Sequence, residues 1–448
     1  MKDRLRAYAT RAVPRYTSYP TAPHFSDAVD GQVYAGWLDS LSVSARLSLY
    51  LHIPFCREMC RYCGCHTKVT RRDEPIADYV KTLSHEIDLV ADRAGGRRVD
   101  HIHWGGGTPS ILKPDQFAAL VDQMTERFAF ASDVDHAIEL DPRTVTPEMV
   151  DMLEHSGVTR ASLGVQDFNR HVQEAIGRSQ PVELVQRVVD LLRGAGVTAI
   201  NFDLMYGLPH QTVADVVRSA EIAVDMAPSR LAIFGYAHVP WFKTHQRLID
   251  AAALPGAIER IDQAEAAKQT LERHGYVAIG LDHFARADDD MAIAQETGEL
   301  KRNFQGYTTD AADALIGFGA SSIGSLPNGY VQNAPDVGGW RRAVEAGTLP
   351  AVRGVTLSED DIRRRAIIER IMCDFAVDLA DFMPDDSDPE TAFSDDIERL
   401  TPLIADGLVI RNGAAIRVID AAKPLVRLVA ACFDSYLAAS EARHSAAV

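Results

Sequence analysis

The sequence predicts an α/β fold: a partial (β/α)6 barrel of the TIM type, with an N-terminal extension and a small, mostly helical C-terminal domain. Three observations predict it. Between residues 48 and 238 short β-rich runs alternate with longer stretches, the pattern of repeated βα units on a parallel sheet. The intervening stretches repeat apolar residues at three- and four-residue spacing, as helices packed on a sheet do. Near residue 357 the chain turns to charged helix and then to the acidic linker PDDSDPETAFSDD.

Residues 1–45 precede the barrel, and the first 30 are rich in tyrosine and proline without a core pattern; they are expected to lie over the barrel mouth and help hold substrate. The barrel itself is expected over 46–240, on the runs SLYLHIPF, VDHIHWGGG, HAIELD, RASLGVQD, INFDLMYG and RLAIFGYAH. A doubly wound open sheet has the same local pattern. Residues 241–356, with GAIERIDQAEAAKQTLERHG, YVAIGLDHFA and the Gly/Ser-rich GFGASSIGSL, extend or cap it. Residues 357–448 form the C-terminal domain: the run SEDDIRRRAIIERIMCDFAVDLADFM reads as charged helix, a helix and strand pair ends near 418, and 441–448 is a frayed tail.

A chain of 448 residues that is 46% hydrophobic can bury a large core. Its 46 basic against 63 acidic residues give a formal charge of −17, which argues against nucleic acid or an anionic membrane as principal partner. No run of about 18 apolar residues occurs and the N-terminus lacks the apolar core of a secretory signal, so a cytoplasmic protein without membrane insertion is expected, and a monomer.

Four of the six cysteines, Cys56, Cys60, Cys63 and Cys65, crowd into CREMCRYCGC, directly after the first strand, where a parallel barrel places its catalytic end. Disulfides there would leave nearly all of the chain unstapled, so thiolate ligation is the better reading. The spacing C-x3-C-x2-C supplies thiolates for three irons of a cubane and leaves the fourth iron open. The alternative is a zinc site using all four cysteines.

Alternation in the first run puts Tyr50 and His52 on one face and Leu51, Ile53 and Phe55 on the other. The first pair either faces the lumen or is satisfied by core hydrogen bonds. The second run ends in Gly105, Gly106, Gly107, Thr108 and Pro109, where backbone can approach a ligand closely. Glu139, Gln166 and Asp203 sit at strand ends where buried polar groups need partners, while Arg178 alone reads as a surface charge. Cys373 and Cys432 lie in apolar helical contexts and read as small buried hydrophobes; His210, His238 and His283 follow strands and either line the site or are structural.

These motifs resemble the radical S-adenosylmethionine superfamily. Over almost the whole chain the sequence is similar to the oxygen-independent coproporphyrinogen III oxidase family, through RYTSYPTA at 15–22, YLHIPFC, HWGGGTP, GVQDF, DLMYGLPHQT, GYAHVPW, GLDHFA and KRNFQGYT. The resemblance implies a barrel of the radical S-adenosylmethionine type, with one [4Fe–4S] cluster on Cys56, Cys60 and Cys63 and two molecules of S-adenosylmethionine. By resemblance Tyr50, Gly106, Glu139 and Ile323 surround the cluster-bound molecule, and Tyr62, Gly107, Thr108, Gln166, Arg178, Asp203 and Ala237 surround the other. Cys65 and Tyr50 stand as catalytic residues. The implied reaction decarboxylates two propionates of coproporphyrinogen III to vinyl groups, giving protoporphyrinogen IX, with a flavodoxin or ferredoxin as reductant. The substrate's four carboxylates call for cations, for which Arg15, Arg178, Lys68 and Lys301 are candidates. A haem-trafficking chaperone or another porphyrin-acting radical enzyme on the same fold is the competing reading, which the fourth cysteine and RYTSYPTA disfavour.

Overall fold

A computed structural model of the chain describes residues 7–384 and 387–437, so the tail at 441–448 lies outside the described residues. Its centre is a twelve-stranded sheet. The six predicted runs form β1 (Leu47–Ile53), β2 (Arg98–Gly106), β3 (Ala129–Leu140), β4 (Arg160–Gln166), β5 (Ala199–Tyr206) and β6 (Arg230–Gly235). They are parallel and adjacent in chain order. The Gly-rich stretch adds a seventh parallel strand, Ala314–Phe318, on the free side of β1, and three antiparallel strands continue that edge to Ala351–Thr356. Beyond β6 the antiparallel strands His283–Arg286 and Tyr276–Ile279 end the sheet. The two ends do not pair, so the barrel is partial.

Each strand hides its apolar face under a helix. In β1, Leu47, Leu49, Leu51 and Ile53 are at most 1% exposed. The helix Glu74–Ala94 buries Ile76, Tyr79, Leu83, Ile87 and Val90, spaced three or four apart so that they share one face. Each such burial is worth roughly 1.5–3 kcal/mol. Polar side chains of β1, β3, β4 and β5 are left on the concave side, at the C-terminal strand ends.

A separate core gathers residues from both chain ends. Tyr8, Val13, Tyr16 and Tyr19 are buried with Ile371, Leu400, Val426 and Phe433. The Tyr16 hydroxyl donates to Asp434 Oδ2 at 3.0 Å, and the Tyr19 hydroxyl lies 2.9 Å from Ser435 Oγ. The N-terminal segment therefore packs on the C-terminal residues, and Arg15 and Thr17 turn toward the cavity described below.

The charged run read as helix through 383 breaks earlier. Its helix, Glu359–Asp374, starts on a reciprocal cap between Ser358 and Asp361 and ends where Phe375 takes φ 58°. The strand Ala376–Asp378 follows and joins Val409–Asn412 and Ala415–Val418 in a small antiparallel sheet. Beyond Asp374 burial alternates, with Phe375, Val377 and Leu379 buried, Ala376 partly exposed and Asp378 exposed, a period of two that suits a strand.

Candidate active site

The four clustered cysteines sit in a loop after β1, above the C-terminal strand ends. Each has different polar company. Cys56 Sγ lies 3.2 Å from Thr67 Oγ1 and accepts from Thr108 Oγ1 at 3.3 Å. Buried Cys60 faces two guanidinium groups, with Arg178 Nη1 at 3.4 Å and Arg143 Nη2 at 3.7 Å from its sulfur. A hydrogen bond from the Cys65 thiol holds Cys63 down at about 6, and the same bond keeps Cys65 protonated.

The loop is fixed from outside through its carbonyls. His245 Nε2–H donates to Cys63 O at 2.7 Å, Lys243 Nζ to Cys65 O at 2.9 Å and Gln246 Nε2 to Tyr62 O at 2.9 Å. From within, His52 Nε2–H donates to His66 O at 3.0 Å, leaving Nδ1 to accept from the Tyr50 hydroxyl at 3.0 Å.

Beneath the loop the glycines of β2 leave room for their neighbours. A Cβ on Gly105 would stand 2.9 Å from Glu139 Oε1, and one on Gly106, whose φ is 111°, would meet the His52 ring at 2.6 Å. One on Gly107 would meet Phe55 O and Thr67 Oγ1 at 2.6 Å, so side chains here would push the cysteine loop away. Glu139 accepts from Gly106 N at 3.2 Å and from His103 Nε2 at 3.3 Å. Burial raises its carboxyl, but His103 and Gly106 outweigh this and hold it ionised below the usual range. Ile323 reaches the same corner: Gly317 pairs with Tyr50, and a Cβ on Gly317 would stand 2.9 Å from Ile323 O.

Arg178, 6% exposed, gathers the next group. It donates to Gly164 O at 2.6 Å and pairs with Asp141 at 3.1 Å, while its Nε is buried without a partner. Tyr62 feels its charge, burial being the larger influence on that hydroxyl. Gln166 takes φ 71°, unusual outside glycine, and its Nε2 is 3.0 Å from where a Gly164 Cβ would stand. On β5, Asp203 accepts from Ser162 Oγ and Asn201 Nδ2, both at 2.9 Å. Burial, reinforced by Glu139, pushes its carboxyl up to about 6. Ala237 follows β6, and its carbonyl accepts from Gln246 Nε2 at 3.3 Å.

Cys65 and Ala237 open onto a cavity of about 1720 Å³, whose wall also carries Arg15, His238, Trp241 and His283. Of the cations proposed from sequence, Arg15 alone lines it. Arg178 is engaged with Asp141 and Cys60, Lys301 pairs with Glu369 at 3.5 Å, and Lys68 is exposed beside Phe55. His210 is exposed and away from this wall. Cys373 and Cys432 are buried, with thiols pushed up to about 12 by burial, although Cys373 also reaches the cavity wall. Sequence reading missed Arg143, the clamp of Lys243, His245 and Gln246, and the cavity arginines Arg260, Arg302 and Arg427. Only Arg143, two residues beyond the strand-end Asp141, carried a positional signal.

Among the described residues no three His, Cys, Asp or Glu side chains converge as ligands of a single ion would. A mononuclear zinc centre needs such convergence, whereas three cubane thiolates each bind a different iron and stand around a larger object. The donors therefore fit a cluster better than the zinc alternative.

The radical S-adenosylmethionine superfamily model matches residues 50–223. The chain is 52% identical over 443 residues to an oxygen-independent coproporphyrinogen III oxidase of Bradyrhizobium diazoefficiens, covering 99% of this chain and 98% of that protein. It is 40% identical to the Paracoccus denitrificans protein of the same name, covering 100% and 98%. The solved coproporphyrinogen III oxidase of Escherichia coli, a radical S-adenosylmethionine enzyme, superposes with a TM-score of 0.90 at 37% identity, covering 95% of this chain and 100% of that one. At these identities over almost the whole length of both chains, this protein belongs to the oxygen-independent coproporphyrinogen III oxidase family.

Proposed function

We propose that the chain catalyses the anaerobic oxidative decarboxylation of two propionates of coproporphyrinogen III, giving protoporphyrinogen IX in haem biosynthesis. One observation carries the reading: the cysteine loop, Glu139, Arg178 and Asp203 meet at one end of the partial barrel, beside a cavity of about 1720 Å³ large enough for a macrocycle.

When bound, a [4Fe–4S] cluster on Cys56, Cys60 and Cys63 and two molecules of S-adenosylmethionine would supply reductive sulfonium cleavage and hence a carbon radical able to take hydrogen from a propionate β-carbon. The chain's own work is placement. Thr108 and Thr67 orient Cys56, while the guanidinium groups of Arg178 and Arg143 donate to Cys60 Sγ and orient it. Tyr50, Gly106, Glu139 and Ile323 form one cofactor position, where ionised Glu139 suits an ammonium group. Tyr62, Gly107, Thr108, Gln166, Arg178, Asp203 and Ala237 form the other, where the free Arg178 Nε–H suits a carboxylate and Asp203 suits hydroxyls. Cys65 and Tyr50 are the proposed catalytic residues, each holding a proton, on Sγ at the cavity wall and on the hydroxyl above β1.

The reductant is a flavodoxin or ferredoxin. Supporting this, residues 57–72 carry Arg57, Arg61, Lys68, Arg71 and Arg72 against one acid, Glu58, a basic island beside the cluster loop on an otherwise acidic chain. We place the protein in the cytoplasm as a monomer without nucleic-acid partners; no helix among the described residues is long and apolar enough to cross a membrane. Residues 46–240 are the barrel, 241–356 its extension, 357–448 the C-terminal domain and 1–45 the segment that completes the cavity.

Anaerobic reconstitution tests the reading. Cys56→Ala, Cys60→Ala and Cys63→Ala should each lose the cluster by iron and sulfide counts and electron paramagnetic resonance, and Cys65→Ala should keep it but lose turnover. Fully loaded wild-type protein that releases no vinyl product from coproporphyrinogen III would overturn the assignment.

A further inference from the structure

The large cavity gathers four arginines that the cofactor positions do not use. Arg15 comes from the N-terminal segment, Arg260 from the helix Ala257–Arg273, Arg302 from the strand Lys301–Asn303 and Arg427 from the helix Val426–Ala431, and all four reach its wall. Other cations on that wall have partners: Lys268 pairs with Glu272 at 3.8 Å and Lys423 with Asp420 at 3.0 Å. Arg260 and Arg302 make no ion pair with a carboxylate among the described residues. Their Nε atoms, and Nη1 of Arg302, are buried with no hydrogen-bond partner. Arg302 instead spends Nη2 on Arg15 O at 3.4 Å and lays its guanidinium 4.4 Å from the centre of the Tyr307 ring.

Buried N–H groups without acceptors are costly, and charged ones more so. Like charges add to the cost. Burial and then Arg15 lower Arg427 to about 10, and Arg260 is lowered by burial and by Arg15 as well. Asp282 answers this field, its carboxyl held low, against burial, by His283, Arg302 and Arg15. A fold keeps such an arrangement when something anionic completes it.

We propose that Arg15, Arg260, Arg302 and Arg427 form a guanidinium cage that binds carboxylates of the substrate, making it the element that selects a polycarboxylate tetrapyrrole. This rests on the function proposed above. The cage lies on the same cavity wall as Cys65 and Ala237, so a ligand anchored there extends toward the cysteine loop. A volume of about 1720 Å³ exceeds the roughly 300–1,000 Å³ of pockets for smaller ligands. Tyr206, Phe234 and Trp241 on the wall supply apolar surface for the rings. A chain of formal charge −17 repels a tetra-anion at long range, so recognition has to come from a local patch of this kind. Guanidinium suits the task because its planar fork stays charged when buried and matches carboxylate oxygens.

The test uses full-length reconstituted enzyme, with Arg302→Met and Arg260→Met, the charge-keeping Arg302→Lys, and wild type. The probes are coproporphyrinogen III for turnover and coproporphyrin III and its tetramethyl ester for equilibrium binding by fluorescence. Each methionine variant should raise KM and the coproporphyrin Kd at least tenfold while keeping the cluster. Arg302→Lys should recover part of the loss. Wild type should prefer the free acid to the ester, and the variants should lose that preference. Removing a strained like charge should leave the ligand-free melting temperature unchanged or higher, which a structural arginine would not do. Unaltered Kd and KM in both methionine variants, with wild type active, would overturn the cage and leave the function standing. A wild type that binds neither porphyrin and turns over no coproporphyrinogen would instead overturn the function.

Discussion

Asp203 carries a carboxylate into the floor of the site, where two donors hold it and a second carboxylate, Glu139, makes its ionisation harder. The pair divides by environment. Glu139 is kept charged by His103 and a backbone amide, while Asp203 is poised at about 6, a contrast that suits one to an ammonium group and the other to hydroxyls. Asp203→Ala should leave Ser162 and Asn201 without their acceptor and weaken one of two cofactor positions by about 1–3 kcal/mol. Equilibrium binding of labelled S-adenosylmethionine should read two equivalents on wild type and one on the variant; two on both would remove Asp203 from the site. At this scale sequence reading picked out the residues that sit in a distinctive local pattern, the cysteines and strand-end acids, and the structure gathers them at one end of the barrel. Sequence reading failed for Arg260, Arg302 and Arg427, because an arginine on a helix or short strand looks the same whether it faces water or a cavity.

The loop between β6 and the helix Ala257–Arg273 acts as a clamp on the cysteine loop. Gln246, 1% exposed, is its hub: Nε2 donates to Tyr62 O and Ala237 O, and Oε1 accepts from Val239 N at 2.6 Å. Gln246→Ala would orphan three backbone groups at once, at about 1–3 kcal/mol for each left dry. The barrel itself should be untouched. The reconstituted variant should therefore lose iron to a chelator about tenfold faster than wild type with unchanged circular dichroism; equal rates would show that the clamp does not restrain the loop. The six barrel strands were legible because each is a short apolar run set between amphipathic helices. The seventh, Ala314–Phe318, was hidden by the glycines that follow it, and Gly319 needs its φ of 93° to turn the chain under Tyr79 and His52. The break after Asp374 was equally silent, since the three-residue strand Ala376–Asp378 is too short to stand out from the helical run before it.

The whole molecule is tied together by side chains that cross between its parts. The two chain ends share a core through Tyr8, Tyr16 and Tyr19, which no local pattern could announce because their partners lie some four hundred residues away. Within the sheet one helix performs the same task. Glu74–Ala94 sends Tyr79 to accept from Ala320 N at 3.0 Å and donate to His52 O at 2.7 Å, and Glu86 to accept from Gly319 N at 2.7 Å, Asn333 Nδ2 at 2.6 Å and Trp340 Nε1 at 3.0 Å. These contacts join the end of β1 to the whole 319–340 extension. Glu86 is 1% exposed and has no cation beside it among the described residues, so burial outweighs its three donors and raises its carboxyl to about 7. The folded protein then keeps a proton that the unfolded chain gives up from the ordinary value of 4.5 upward. The stability this adds is full below pH 4.5 and is lost as pH rises through about 7, an effect of about 3 kcal/mol. Glu86→Gln, neutral at every pH, should escape that loss. Urea titrations of variant and wild type should give a difference that shifts by about 3 kcal/mol in the variant's favour between pH 4.5 and pH 8, and a difference independent of pH would mean that the three donors keep Glu86 ionised throughout.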